Sequence, residues 1–183
     1  GIGKLELADA AMMRVPHDLD RREALEAELI KARIEAAENH YPAAIPHFAA
    51  VENGGDERIA AQAIFYQTSA ALTAGAITPK QGIAILERLR YRWRGDALEM
   101  KTLRKLAALY FDQRKWQSGL KTLRVATQNF VGEEQAHAAQ DDMRTAFTNL
   151  YISLISVLCK WEIARSCMLK SHIKVISLIN ICS

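Results

Sequence analysis

The sequence predicts an all-α fold, an α-solenoid of stacked antiparallel helix pairs, on three observations. Ala is abundant up to about residue 150 while aromatics make up only 7% of the chain, and Ala loses no side-chain entropy in a helix. Helix-start and helix-stop signals recur along the chain at short intervals. Three segments also carry the same apolar stripe: Tyr41, Ala44, Phe48 and Val51 match Pro79, Gly82, Leu86 and Leu89 at a spacing of 38 residues, and those match Trp116, Gly119, Leu123 and Ala126 at 37. Residues three and four apart share a helical face, so each stripe marks one buried helix side with a small residue where helices approach most closely. At 183 residues and 50% hydrophobic content, the chain is long enough for one domain with a continuous core.

Residues 1–19 have weak periodicity and contain Pro16, which predicts an irregular lead-in or the end of a preceding helix. Asp20 with Glu23 has the spacing of a capping box and opens a helix to about Asn39. His40-Tyr41-Pro42 interrupts it, and a second helix is expected over Ala43–Glu52. Asn53-Gly54-Gly55 supplies the left-handed conformations that stop helices. Asp56 caps a third helix to about Ala74, and Gly75 ends it. Thr78-Pro79-Lys80-Gln81 combines a hydroxyl cap, Pro in the first turn and Gln three residues after the cap. The fourth helix should run to about Arg94 and stop at Gly95; Asp96 with Glu99 then repeats the capping-box spacing. Gly132 closes the following pair, and Glu133-Glu134 open a helix to at least Tyr151.

The pair over residues 100–131 has the most regular pattern. Leu103-x2-Leu106-Ala107-x2-Tyr110 is followed by the polar turn Asp112-Gln113-Arg114-Lys115, then by Trp116 and Gly119-x3-Leu123-x2-Ala126. This order resembles the tetratricopeptide repeat, W-x2-L-G-x2-Y, then A-x3-F, then A and a terminal Pro. Here Leu103 replaces Trp, Ala107 replaces Gly, Gly119 replaces Ala, Leu123 replaces Phe and Val131 replaces Pro. In the other first helices, Phe65-x2-Thr68-Ser69-x2-Leu72 fits the pattern, while Leu29-x2-Ala32-Arg33-x2-Ala36 puts Arg33 where a small residue is expected. The resemblance implies a right-handed superhelix over residues 20–151, with a concave groove lined by first helices. Carried onto this sequence, the groove positions are Lys101, Arg104, Ala108 and Phe111, and Tyr66 in the preceding repeat. Lys101 and Arg104, one turn apart, would favour an acidic partner or a C-terminal carboxylate through charge-assisted hydrogen bonds. The bland alternative is a pair of solvated cations.

The run from Ile77 to Phe130 also looks like a segment within long repeat proteins of the Gram-negative cell envelope. That resemblance implies a periplasmic or envelope setting and a chain that is part of a longer array, and implies nothing about ligands. No secretory signal opens the sequence and the first residue is Gly1, which reads as a processed or excised chain and leaves a cytoplasmic setting open.

The net charge of +3 conceals an asymmetry. Residues 80–124 hold 12 Lys/Arg against 4 Asp/Glu, while residues 1–79 hold 7 against 12. Within this basic island Arg88, Arg90 and Arg92 alternate with Leu89, Tyr91 and Trp93, and Arg94 follows. Alternating Arg and aromatics suit nucleic acid or another anionic surface. On a helix, however, residues two apart diverge, so the same arginines are expected to spread around the cylinder and cover apolar neighbours with their stems.

Nothing else points to chemistry. The five histidines form no H-E-x-x-H, and Cys159, Cys167 and His172 are too loosely spaced for a zinc site. Asn53-Gly54-Gly55 lacks the Lys-Ser/Thr of a phosphate loop, and Asp141-Asp142 reads as solvated surface. No cofactor, metal or catalytic residue is expected. From about residue 152 to 183 Ala nearly disappears and Ile, Ser, Lys and Cys dominate. This tail reads either as a basic amphipathic segment lying on a membrane or partner, or as a non-homologous end after a truncated repeat array. The functional expectation is therefore a non-enzymatic scaffold that binds a peptide or partner protein.

Overall fold

In a computed structural model of the chain, residues 19–130 and 137–152 are described. They are all helical or in short links, with no strand among them. The chain divides into two compact units, residues 1–139 and 140–183. The predicted lead-in and the tail from residue 153, including all three cysteines, lie outside the described residues, as do Gly132, Glu133 and Glu134.

The first unit contains α1 (Arg21–Ala37), α2 (Tyr41–Glu52), α3 (Glu57–Thr73), α4 (Pro79–Arg92), α5 (Ala97–Asp112) and α6 (Trp116–Asn129). Each helix packs on the next, and α1 also packs on α3. Links of three to five residues bring each helix back against the one before it.

The start signals work as the sequence predicts. Asp20 and Glu23 form a reciprocal capping box on α1, and Thr78 and Gln81 form another on α4. α5 departs from this scheme: Asp96 accepts from Leu98 N and Glu99 N, but the Glu99 carboxylate reaches past the cap to accept from Gly95 N at 2.6 Å. α2 begins at Tyr41, two residues earlier than expected, because Pro42 fits a first helical turn. It also contains Pro46 in its interior. The ring removes one intrahelical bond, and the helix continues because Ala44, Phe48 and Val51 are fully buried on its other side. α4 ends at Arg92 rather than Arg94, with Trp93 turning out into an extended conformation.

Three of the five stops use one physical device. Each of the five links holds one residue with left-handed backbone: Asn39, Gly55, Gly75, Gly95 and Arg114. After α1, α3 and α5 it sits in the same two-bond motif. Asn39 N bonds Ala36 O and His40 N bonds Glu35 O; Gly75 N bonds Leu72 O and Ala76 N bonds Ala71 O; Arg114 N bonds Phe111 O and Lys115 N bonds Tyr110 O. This is the Schellman arrangement, which satisfies carbonyls a helix end leaves orphaned.

Among the described residues α3 contributes to two buried clusters. Ile59 and Ala63 join Leu29 and Ala32 of α1 and Ala44, Phe48 and Val51 of α2. Ala61 and Phe65 join Leu86 and Leu89 of α4 and Leu98, Leu106 and Leu109 of α5. The stripes of the second helices are buried as expected at Ala44, Phe48, Val51, Gly82, Leu86, Leu89, Gly119, Leu123 and Ala126. Gly82 and Gly119 mark close approaches, since an added Cβ would meet the Leu72 methyls at 2.9 Å and would run into the Phe111 ring. These partners are not equivalent in the repeat alignment, where Leu72 matches Tyr110; Tyr110 instead lies against the core beneath α4. Arg33 is exposed, so the close contact of α1 is made by fully buried Ala32.

In the second unit the described residues 140–152 are helical, continuing from 137. Ala146 is buried, whereas Phe147, Tyr151 and Ile152 are exposed. Asp141 pairs with Arg144 at 3.1 Å on its surface.

Candidate functional site

The first helices α1, α3 and α5 converge on Tyr66. Its ring packs against both cores at once, with Phe65 edge-on at 5.3 Å. That anchorage leaves one ring face and the hydroxyl for polar neighbours. Arg33 Cζ of α1 lies 4.1 Å from the ring centroid. Lys101 of α5 lies 5.8 Å from the same centroid and donates from Nζ to Tyr66 Oη at 3.3 Å. The misfit Arg33 of the sequence pattern is thus a cation over an aromatic face, an interaction worth roughly 0.5–1 kcal/mol at an exposed site. Neither Arg33 nor Lys101 forms an ion pair among the described residues.

The expected groove positions are therefore brought together in part. Tyr66 and Lys101 meet across 35 residues of sequence. Lys101, Arg104 and Ala108 are all exposed on α5 and, at i, i+3 and i+7, share one side of the helix. Phe111 differs: it is half-buried, its ring stacked on Trp116 at 5.6 Å and pressed on Gly119. It is held inside the α5–α6 hairpin, because the glycine opposite it leaves room for an aromatic ring. Arg33 was not among the expected site residues. The only sequence signal was its poor fit to the repeat.

The four arginines of the basic run take different surroundings. Arg88 is exposed and donates to the carbonyl of Ala84 in its own helix at 3.3 Å. Arg92 reaches Glu57 of α3 at 3.4 Å. Arg90 is half-buried and pairs with Glu87 at 3.3 Å; Arg90 and Arg94 flank the exposed Tyr91 ring at 5.3 and 5.5 Å. Glu87 also accepts from Tyr110 Oη at 2.8 Å. Burial and that hydrogen bond push the Tyr110 phenol up to about 12. Arg88 and Arg92 share one side of α4, Arg90 lies on another and Arg94 falls beyond the helix end, so the four form no single stripe.

Elsewhere, His47 of α2 sits between two α1 carboxylates, Nδ1 toward Glu28 and Nε2 3.4 Å from Glu35. Both ring nitrogens are thereby engaged within the first hairpin. No group of three His, Cys, Asp or Glu among the described residues could hold a metal. No described helix is long and apolar enough to cross a membrane.

Comparison of the chain with family models, with curated proteins and with solved structures finds no match in any of the three.

Proposed function

We propose that the chain is a protein-interaction scaffold, a tetratricopeptide-like right-handed array of the hairpins α1–α2, α3–α4 and α5–α6, which binds an acidic peptide or C-terminal carboxylate along its first helices. The reading of the helices as a repeat array draws on the shared terminator of α1, α3 and α5 and on the buried small residue in the first turn of α2, α4 and α6. The binding reading rests on one observation: Arg33 and Lys101 from different hairpins bracket Tyr66 and carry positive charge that no carboxylate among the described residues neutralises. An incoming carboxylate would gain charge-assisted hydrogen bonds there, with Tyr66 as a rigid apolar wall and Lys101, Arg104 and Ala108 extending the track along α5. A setting in the bacterial envelope, within a longer array, is the compartment the sequence resemblance favours.

Fluorescence anisotropy with acidic peptides ending in a free or an amidated carboxylate tests the proposal. The free-acid peptides should bind more tightly. Lys101→Ala with Arg104→Ala should weaken them roughly tenfold or more, as loss of hydrogen bonds to a charged group predicts. Undiminished binding by that double variant would mean the first-helix face is not the site.

A further inference from the structure

Arg88 and Arg92 stand one turn apart on α4, and both line a recess of about 430 Å³ walled by α2, α3 and α4. That size lies within the range of small-molecule sites, roughly 300–1,000 Å³. Its inner lining is apolar: Ala71 and Leu89 are buried, and Ile64 and Ile85 are half-buried beside them.

The polar groups at this recess are largely unspent. Tyr41 of α2 and Gln67 of α3 both line it, and neither side chain makes a hydrogen bond among the described residues. Arg88 uses only its Nε, on a long bond to a carbonyl of its own helix, which leaves the two terminal nitrogens of the guanidinium fork. Arg92 is held by the exposed Glu57 alone. Glu52 is the one acid among the lining residues and, like Glu57, lies in the field of Arg92, so Arg88 is the guanidinium at the recess that no carboxylate among the described residues pairs.

We propose that this recess binds a small monocarboxylate with a short aliphatic body. The carboxylate would sit on Arg88 and Arg92 with Tyr41 and Gln67 as further donors, and the body would cover Ala71 and Leu89. A bare inorganic anion would leave that apolar lining wet, and a neutral hydrocarbon would leave the guanidinium donors unused. Both halves of the ligand are therefore required. The site shares no residue with the Tyr66–Lys101 face, so either proposal can fail alone.

Isothermal titration of the full chain with hexanoate, acetate and hexanol tests this. Hexanoate should saturate one site, while acetate, which has the charge without the body, and hexanol, which has the body without the charge, should each bind at least roughly tenfold more weakly. Arg88→Gln with Arg92→Gln should weaken hexanoate roughly tenfold to a hundredfold, the value of hydrogen bonds to a charged group. Gln67→Trp, which fills the recess and leaves the arginines in place, should abolish binding with the helical circular dichroism unchanged. Three results would each overturn the assignment: no saturable hexanoate binding, acetate binding as well as hexanoate, or the double arginine variant binding undiminished.

Discussion

Glu99, at the start of α5, accepts a hydrogen bond from Asn129, the last residue of α6, at 3.2 Å. The other oxygen of the same carboxylate takes Gly95 N at 2.6 Å, and the residue is only 5% exposed. One buried carboxylate thus fastens the two ends of the α5–α6 hairpin and completes the stop of the preceding link. Removing it would leave Gly95 N and the Asn129 amide without this acceptor. Glu99→Ala should cost about 2–3 kcal/mol and Asn129→Ala about 1–2 kcal/mol in chemical denaturation, because hydrogen bonds to charged groups count for more than neutral ones. A loss below roughly 0.5 kcal/mol in both would show that the clasp is not structural.

The two tight glycines should behave differently. At Gly82 an added methyl meets the free ends of Leu72, which can rotate away. At Gly119 it meets a ring that is stacked on Trp116. Gly119→Ala should therefore destabilise by about 1–3 kcal/mol, the usual cost of overpacking. Gly82→Ala should stay within about 1 kcal/mol of the parent, since the helix-propensity gain offsets the crowding. Equal melting temperatures for the two variants would contradict this.

Arg114 holds the left-handed position that glycine fills after α3. Its side chain is exposed, so little packing is lost on truncation. Arg114→Gly should raise stability by about 1 kcal/mol, the left-handed penalty of a residue with a Cβ. Thermal unfolding of the two proteins side by side measures it directly.

Ser69 Oγ is buried and has no hydrogen-bond partner among the described residues. An unpaired buried hydroxyl costs about 1–3 kcal/mol. Ser69→Ala should stabilise by about 1 kcal/mol, and destabilisation would reveal an unseen partner for the hydroxyl.

Tyr110 gives a pH signature. Its folded-state pKa is raised from 10.0 to about 12 by burial and by the Glu87 hydrogen bond, so the folded protein holds the phenolic proton more tightly than the unfolded chain. That contribution is fully present below pH 10 and is lost as pH rises through about 12. The melting temperature should fall across this window, and Tyr110→Phe should flatten the fall. An unchanged slope in the variant would remove Tyr110 from the account.

Local signals made the helices legible in the sequence. Capping residues act within three positions, so Asp20, Asp56, Thr78 and Asp96 mark the starts of their helices with no knowledge of the fold. The stripes of α2, α4 and α6 were readable for the same reason: a face that must leave water carries a period of 3.6 wherever the helix packs. Asn39 and Arg114 were not readable as left-handed stops. Neither residue type demands that conformation, and only the Schellman bonds to the preceding turn impose it.

The candidate site divides in the same way. Sequence alone determined that Lys101, Arg104 and Ala108 share one side of a helix, because that is a matter of spacing within a single element. Tertiary structure decided that Lys101 meets Tyr66, that Arg33 covers the Tyr66 ring, that Phe111 turns inward onto Gly119, and that only Arg88 and Arg92 of the basic run share a recess. Each of those outcomes depends on how neighbouring helices rotate and approach. That rotation is set by side-chain volumes packed from three helices at once, a sum over contacts distant in the chain which no local period encodes.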